Sequence, residues 1–299
     1  MTGHTDHDQL IADGESYLPS ADLSLAVRVA MAIGRPLLLY GEPGSGKSTL
    51  ARHVAVDRGM RYYEHVTTAR TGAQDLLWTF DHVRRLGDAQ ADRLDETDNR
   101  YVTPGVLWWA FRRDLADPVG QQHEPFEQWN SDRKDAPAVV LVDEIDKADP
   151  DMPNGLLAPL AARRFVATEY QGGVEVAEHP SGTTLVIITS NEERDLPQAF
   201  VRRCVVHRLP PHGREDLKLI AEQHLLRRGE TIADEFRDHL LDELEAAREV
   251  AKRNNQRMPS TAEFLDAVNA CVRLELDAPA NAELARLLGM IFTKDTGGR

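Results

Sequence analysis

An apolar run, Pro36-Leu37-Leu38-Leu39-Tyr40, passes directly into Gly41-Glu42-Pro43-Gly44-Ser45-Gly46-Lys47-Ser48 and then into Thr49-Leu50-Ala51-Arg52-His53-Val54, whose spacing is helical. The octet has the form G-x-x-x-x-G-K-[ST]. Strand, glycine-rich turn and helix in immediate succession aim several backbone N–H groups inward, and the helix adds the positive end of its dipole. Such a turn suits a triphosphate. Gly44 and Gly46 can take backbone conformations closed to residues with a Cβ, Lys47 can reach the β- and γ-phosphates, and the Ser48 hydroxyl can ligate Mg²⁺. Gly41, Glu42, Pro43, Gly44, Ser45, Gly46, Lys47, Ser48 and Thr49 are therefore the expected nucleotide-binding residues.

Apolar runs suited to buried parallel strands recur at Pro36–Tyr40, Arg61–Val66, Ala138–Val142, Thr184–Thr189 and Val205–Leu209, with helically spaced segments between them. This alternation predicts an α/β sheet. Ahead of the first strand, Leu23, Val27, Ala30 and Ile33 share a helical face, with Asp22 as the expected N-cap and Gly34 as the stop. That helix is expected beside the nucleotide base. Leu209-Pro210-Pro211-His212-Gly213 ends the strand pattern, and beyond it helices are expected near Arg214–Arg227, Ile232–Arg253, Ser260–Leu276 and Asn281–Phe292. Ser260 and Glu263 match a capping box. The stretch between Lys47 and Asp143 is longer than one helix and one strand need. Two parts of it read as inserted: Asp81–Arg100, charged and polar, and Arg112–Pro137, which lacks periodicity as exposed loops do.

With 299 residues, 41% hydrophobic and 28% charged, the chain has the make-up of a soluble globular protein. No apolar stretch reaches the roughly 20 residues that span a bilayer, and the first residues lack the features of a signal peptide, so the expected location is the cytoplasm. A net charge of −14, from 49 acidic and 35 basic residues, repels polyanions and argues against nucleic acid as a partner. Cys204 and Cys271 are too few for a disulfide framework and read as apolar fillers. His4 and His7 lie in a polar terminus expected to be disordered. Trp78, Trp108, Trp109 and Phe111 stand among apolar neighbours and read as packing rather than as a base-stacking platform.

Val139-Val140-Leu141-Val142-Asp143-Glu144 ends an apolar strand on two adjacent carboxylates. Beside a phosphate loop the two acids have separate tasks: Asp143 can hold Mg²⁺ opposite Ser48, and Glu144 can orient and deprotonate an attacking water. Thr184–Thr189 carries Asn191 to the carboxyl end of the sheet, where ligands of such sheets bind. Its amide can hold the water or read the γ-phosphate. Arg202 and Arg203 stand just before the last strand, and a guanidinium on the γ-phosphate is worth about 10³–10⁵ in rate in comparable enzymes. For Arg202 an ordinary salt bridge is the competing reading.

Gly41–Ser48, Val139–Glu144, Ser190-Asn191 and Arg202-Arg203, followed by a helical bundle, together resemble the AAA+ ATPases, and within them the MoxR-like, dynein-related branch. Arg35–Gly44, Thr103–Trp108 and Asp143–Asp149 look like that branch rather than generic P-loop enzymes. The resemblance implies a P-loop NTPase core with a five-stranded parallel sheet flanked by helices over residues 21–211, after an N-terminal tail over 1–20. It further implies insertions near 68–106 and 112–137, a hairpin over Arg163–Pro180, and a helical lid over 212–299. It places Lys47 and Ser48 in Walker A, Asp143 and Glu144 in Walker B, Asn191 at the first sensor and Arg203 at the arginine finger. In the family that finger serves the ATP of the neighbouring subunit, which implies a homo-oligomeric ring, usually of six. The implied cofactors are ATP and Mg²⁺.

One feature departs from the family pattern. Members often carry a second-sensor arginine near the start of the third lid helix, whereas Ser260-Thr261-Ala262-Glu263 offers none, leaving Arg253 or Arg257 to substitute. The expected function is Mg²⁺-dependent ATP hydrolysis coupled to remodelling of a protein client, such as a von Willebrand A domain protein, or to metal or cofactor insertion. A nucleotide-gated scaffold with negligible hydrolysis is the alternative, opposed by Glu144 and the paired arginines.

Overall fold

A computed structural model describes residues 3–94, 98–116, 119, 123–180, 182–279 and 281–293. The five expected strands form one parallel sheet. They are β1 (Leu37–Tyr40), β2 (Arg61–Val66), β5 (Ala138–Asp143), β8 (Leu185–Ser190) and β9 (Val205–Arg208), in the order β2-β5-β8-β1-β9. Two antiparallel pairs stand apart from it: β3 (Trp78–Phe80) with β4 (Val102–Pro104), and β6 (Arg164–Ala167) with β7 (Val174–Ala177). The second pair is the hairpin expected over Arg163–Pro180. The first lies within the stretch expected to be inserted near 68–106, together with a helix over His82–Gln90. Residues 95–97, and 117, 118 and 120–122 of the second insertion, lie outside the described residues.

The chain divides into two compact units, one of Met1–Glu15, Pro19–Tyr40 and Ser48–Arg208, the other of Ser16–Leu18, Gly41–Lys47 and Leu209–Arg299. In the first, β5 and β8 are buried along their length, as central parallel strands covered on both faces must be. Their side chains join Trp108, Phe111 and Phe200 in one core. Trp108 and Trp109 are buried, and Trp108 meets Phe165 and Tyr170 edge-on, so these aromatics do pack. In the second unit the helices Arg214–Arg227, Asp234–Arg253 and Thr261–Arg273 bury Leu217, Leu240, Leu244, Phe264 and Val268 against one another.

Three local readings change. Ser20, not Asp22, caps the helix Ala21–Ile33, accepting from the Leu23 N–H at 3.2 Å, while Asp22 sits in the first turn and Gly34 ends the helix in the left-handed region. Residues 3–16 form a helix where an unstructured tail was expected. The stretch 112–137, read as exposed loop, contains the buried residues Glu124, Trp129 and Asn130. Asn130 explains why. Its amide accepts from the Tyr62 N–H at 2.9 Å and donates to the Tyr62 carbonyl at 3.2 Å, satisfying the backbone of β2, the sheet's edge strand.

Candidate functional site

Lys47 opens the helix Lys47–Asp57, and its buried ammonium donates to the carbonyls of Gly41 at 2.7 Å and Glu42 at 2.9 Å, folding the side chain back over the loop. Gly44 and Gly46 have φ of 75° and 86°, in the left-handed region that a Cβ disfavours. Space enforces the same choice. A Cβ on Gly44 would meet Ser260 Oγ at 2.7 Å, and one on Gly46 would meet the Tyr17 ring at 2.7 Å. Ser45 Oγ is buried with no hydrogen-bond partner among the described residues, an orphan group facing a loop built to receive an anion.

Ser48 and Asp143, 95 positions apart, touch: Ser48 Oγ donates to the two carboxylate oxygens at 2.8 and 2.9 Å. Thr189 Oγ1 donates to Asp143 Oδ1 at 2.5 Å and accepts from the Glu144 N–H at 2.8 Å. Two hard oxygens from a hydroxyl and a carboxylate are the kind of donors by which Mg²⁺ is held alongside water and phosphate. The residues present therefore fit both groups, a nucleotide phosphate chain at 41–48 and a divalent cation at Ser48 and Asp143.

Glu144 sits in the left-handed region, with φ 57° and ψ 47°. A non-glycine residue held there is strained, and such strain collects at functional sites. Three hydrogen bonds hold it: the Thr189 contact on its N–H, and donation to its carbonyl by Thr67 Oγ1 at 2.5 Å and the Lys147 N–H at 2.8 Å. Its carboxylate is turned toward Asn191 and Lys147. Asn191 Nδ2 donates to Glu144 Oε1 at 3.2 Å, and Lys147 Nζ to Oε2 at 2.9 Å, which raises the Lys147 pKa. Buried Asp146 accepts from the N–H groups of Asn191 and Glu193 and so fixes the turn that presents Asn191.

Arg202 and Arg203 lie elsewhere. Both are exposed, and Arg203 Nη1 donates to the Ala199 carbonyl at 2.9 Å. They precede β9, whose Val205 is level with Leu37 of β1, so they stand at the amino edge of the sheet. Asp143, Glu144 and Asn191 stand at the carboxyl edge. A four-residue strand separates those edges by about 13 Å at 3.3 Å per residue.

Thr189, Thr67, Lys147 and Asp146 were missed by sequence reasoning, although Thr189 closes the same apolar run that delivers Asn191. A polar residue at the carboxyl end of a buried parallel strand is a usable signal. Tyr17, against Gly46, had none.

A phosphate loop that continues a strand of a five-stranded parallel sheet and runs directly into Ser48, whose hydroxyl meets the Asp143 carboxylate, defines a P-loop nucleotide-binding protein. Residues 36–204 match the family model described as AAA domain (dynein-related subfamily), and the chain belongs to that family. Family membership carries nucleotide binding, usually with Mg²⁺, and AAA+ proteins commonly assemble as hexameric rings.

Among solved structures, the chain is similar to a candidate ATPase from Cytophaga hutchinsonii (14% identity, TM-score 0.43, covering 96% of this chain and 86% of that one). It is also similar to domain III of the replication initiation protein DnaA from Thermotoga maritima (15% identity, TM-score 0.46, 94% and 96%). A third is a RuvB variant from Thermotoga maritima (14% identity, TM-score 0.47, 90% and 67%). No curated protein matches the chain. Among the described residues no helix is long and apolar enough to cross a membrane.

Proposed function

We propose that this protein is an Mg²⁺-dependent ATPase of the MoxR-like branch that works as a homo-oligomeric ring in the cytoplasm and uses hydrolysis to remodel a protein client, such as one with a von Willebrand A domain. The observation that carries this reading is the pair of contacts at the carboxyl edge, Ser48 with Asp143 and Asn191 with Glu144. Bound Mg²⁺ would neutralise charge building on the transferred phosphoryl group. Ser48 and Asp143 would hold it, while the loop from Gly41 to Ser48, with Thr49, binds the phosphates and Lys47 supplies positive charge. Glu144 takes a proton from the attacking water at a carboxylate oxygen, and Asn191 orients that carboxylate. Arg203 serves a neighbouring subunit, because its own edge lies across the sheet from Glu144, and Arg202 stands beside it as a second candidate. The preference for ATP over GTP follows from the branch alone.

Glu144→Gln keeps the shape and the acceptor for Asn191 but removes the base. Turnover is expected to fall by about 10²-fold or more with nucleotide affinity retained, read by phosphate release and by equilibrium binding. Undiminished phosphate release would overturn the assignment.

A further inference from the structure

Glu144 leads into a single 3₁₀ turn, Ile145–Lys147, in which the Lys147 N–H returns to the Glu144 carbonyl at 2.8 Å. In such a turn residues three apart eclipse. The Lys147 side chain stands over that of Glu144, and its ammonium donates to Oε2 at 2.9 Å while Asn191 Nδ2 donates to Oε1 at 3.2 Å. Both carboxylate oxygens of Glu144 are thus engaged by the chain itself.

The two donors differ in how firmly they are held. Asn191 is carried on a turn that buried Asp146 pins by accepting from the N–H groups of Asn191 and Glu193. Lys147 has no such anchor. Its side chain is 41% exposed, and an ammonium on a four-carbon stem is a compact, well-hydrated charge that can change partners. The hydrogen bond with Glu144 is the main reason its pKa stands above the usual lysine value, and Glu193 and then Asp146 attract it more weakly. Asp146 is already committed to the turn. Glu193 is exposed, and among the described residues its carboxylate has no hydrogen-bond partner. Lys147 therefore lies between two anions, one at the end of β5 and one beyond the end of β8.

A charge-assisted hydrogen bond is roughly twice as strong as a neutral one, so Lys147 restrains the Glu144 carboxylate more tightly than Asn191 does. A general base must offer an oxygen to the attacking water, and an ammonium on that oxygen competes with the water. We propose that Lys147 is a restraining residue, an autoinhibitory contact that holds Glu144 back until its ammonium passes to Glu193 and frees Oε2. This rests on the reading of Glu144 as the base of ATP hydrolysis.

Lys147→Met keeps the length of the stem and removes the ammonium. Steady-state phosphate release by the full-length protein at saturating ATP and Mg²⁺ is expected to rise about 2- to 5-fold, the worth of an exposed ion pair expressed as a rate, with KM for ATP unchanged. Lys147→Arg keeps the charge and should stay at the wild-type rate or below it. Glu193→Gln keeps the N–H that Asp146 accepts from but removes the second anion, so it should slow the wild type by about twofold. In a Lys147→Met background the same change should have no effect, a coupling that a merely structural loss would not produce. A Lys147→Met rate equal to or below the wild type overturns the proposal, whether or not Tm falls. An unchanged rate in Glu193→Gln overturns the transfer to Glu193. Glu144→Gln separates the two levels of the reading. Undiminished phosphate release in that variant refutes the base assignment itself, whereas its inactivity beside a Lys147→Met no faster than wild type refutes only the restraint.

Discussion

The two edges of the parallel sheet carry different residue types and are organised in opposite ways. At the carboxyl edge Ser48, Asp143, Glu144, Thr189 and Asn191 interlock through hydrogen bonds of 2.5–3.2 Å, and one residue is held in a strained backbone conformation. At the amino edge Arg202 and Arg203 are exposed, and Arg203 donates a hydrogen bond to a carbonyl one turn back. The first edge is preorganised, as electrostatic catalysis requires, because fixed dipoles need not reorient at the moment of reaction. The second has long flexible cations held toward solvent, which suits a group that acts on something outside its own chain. If Arg203 serves a neighbouring copy as proposed, the catalytic groups are divided between two copies.

Breaking that division gives the largest expected effect. Arg203→Ala should lower ATP turnover by about 10³-fold or more, with the fold intact, if Arg203 acts as proposed. Mixing it with Glu144→Gln protein sharpens the comparison, because each variant retains the edge that the other lacks. Partial recovery of phosphate release is expected, and inactivity at every mixing ratio in verified mixed assemblies would break the idea of a shared site.

Thr189→Val comes next. The substitution nearly conserves shape but leaves the part-buried Glu144 N–H without its acceptor, so denaturant unfolding should show a loss of about 1–3 kcal/mol. Arg202→Ala at the other edge should stay within about 0.5 kcal/mol of the wild type. Equal losses at both edges would contradict the contrast.

The smallest effect is in pH. Burial lowers the pKa of His65 on β2, with Asp75 opposing more weakly, and Nε2 has no hydrogen-bond partner among the described residues. Below the ordinary histidine value of about 6.5 the unfolded chain binds more protons than the folded one. His65 therefore contributes stability that is present above that pH and declines as pH falls through and below it. Unfolding at pH 7.5 and 5.5 should show a smaller difference in His65→Asn than in the wild type, and an unchanged difference would remove His65 from the account.

Much of the carboxyl edge was legible because its chemistry is carried by contiguous residues at the ends of apolar runs. Asp143-Glu144 and Ser190-Asn191 each follow a run too apolar to lie anywhere but a buried strand, and parallel strands deliver their last residues to one edge. The β6–β7 pair was legible only through resemblance. Ser20 was passed over for Asp22 because both are good caps and local pattern does not separate neighbours two positions apart. Asn130 stood in a stretch without periodicity, and its value lies wholly in pairing with Tyr62, 68 positions away.

Local sequence was sufficient for the loop, the five strands, the helical C-terminal part and the identity of the residues at each strand end, since these follow from backbone preferences and short-range hydrophobic spacing. Tertiary structure alone decided the strand order β2-β5-β8-β1-β9 and the left-handed Glu144 held by Thr67 and Thr189. Each of these depends on which distant side chains share a desolvated space. Hydrogen bonding and charge pairing there are set by distance in three dimensions, which spacing along the chain does not encode.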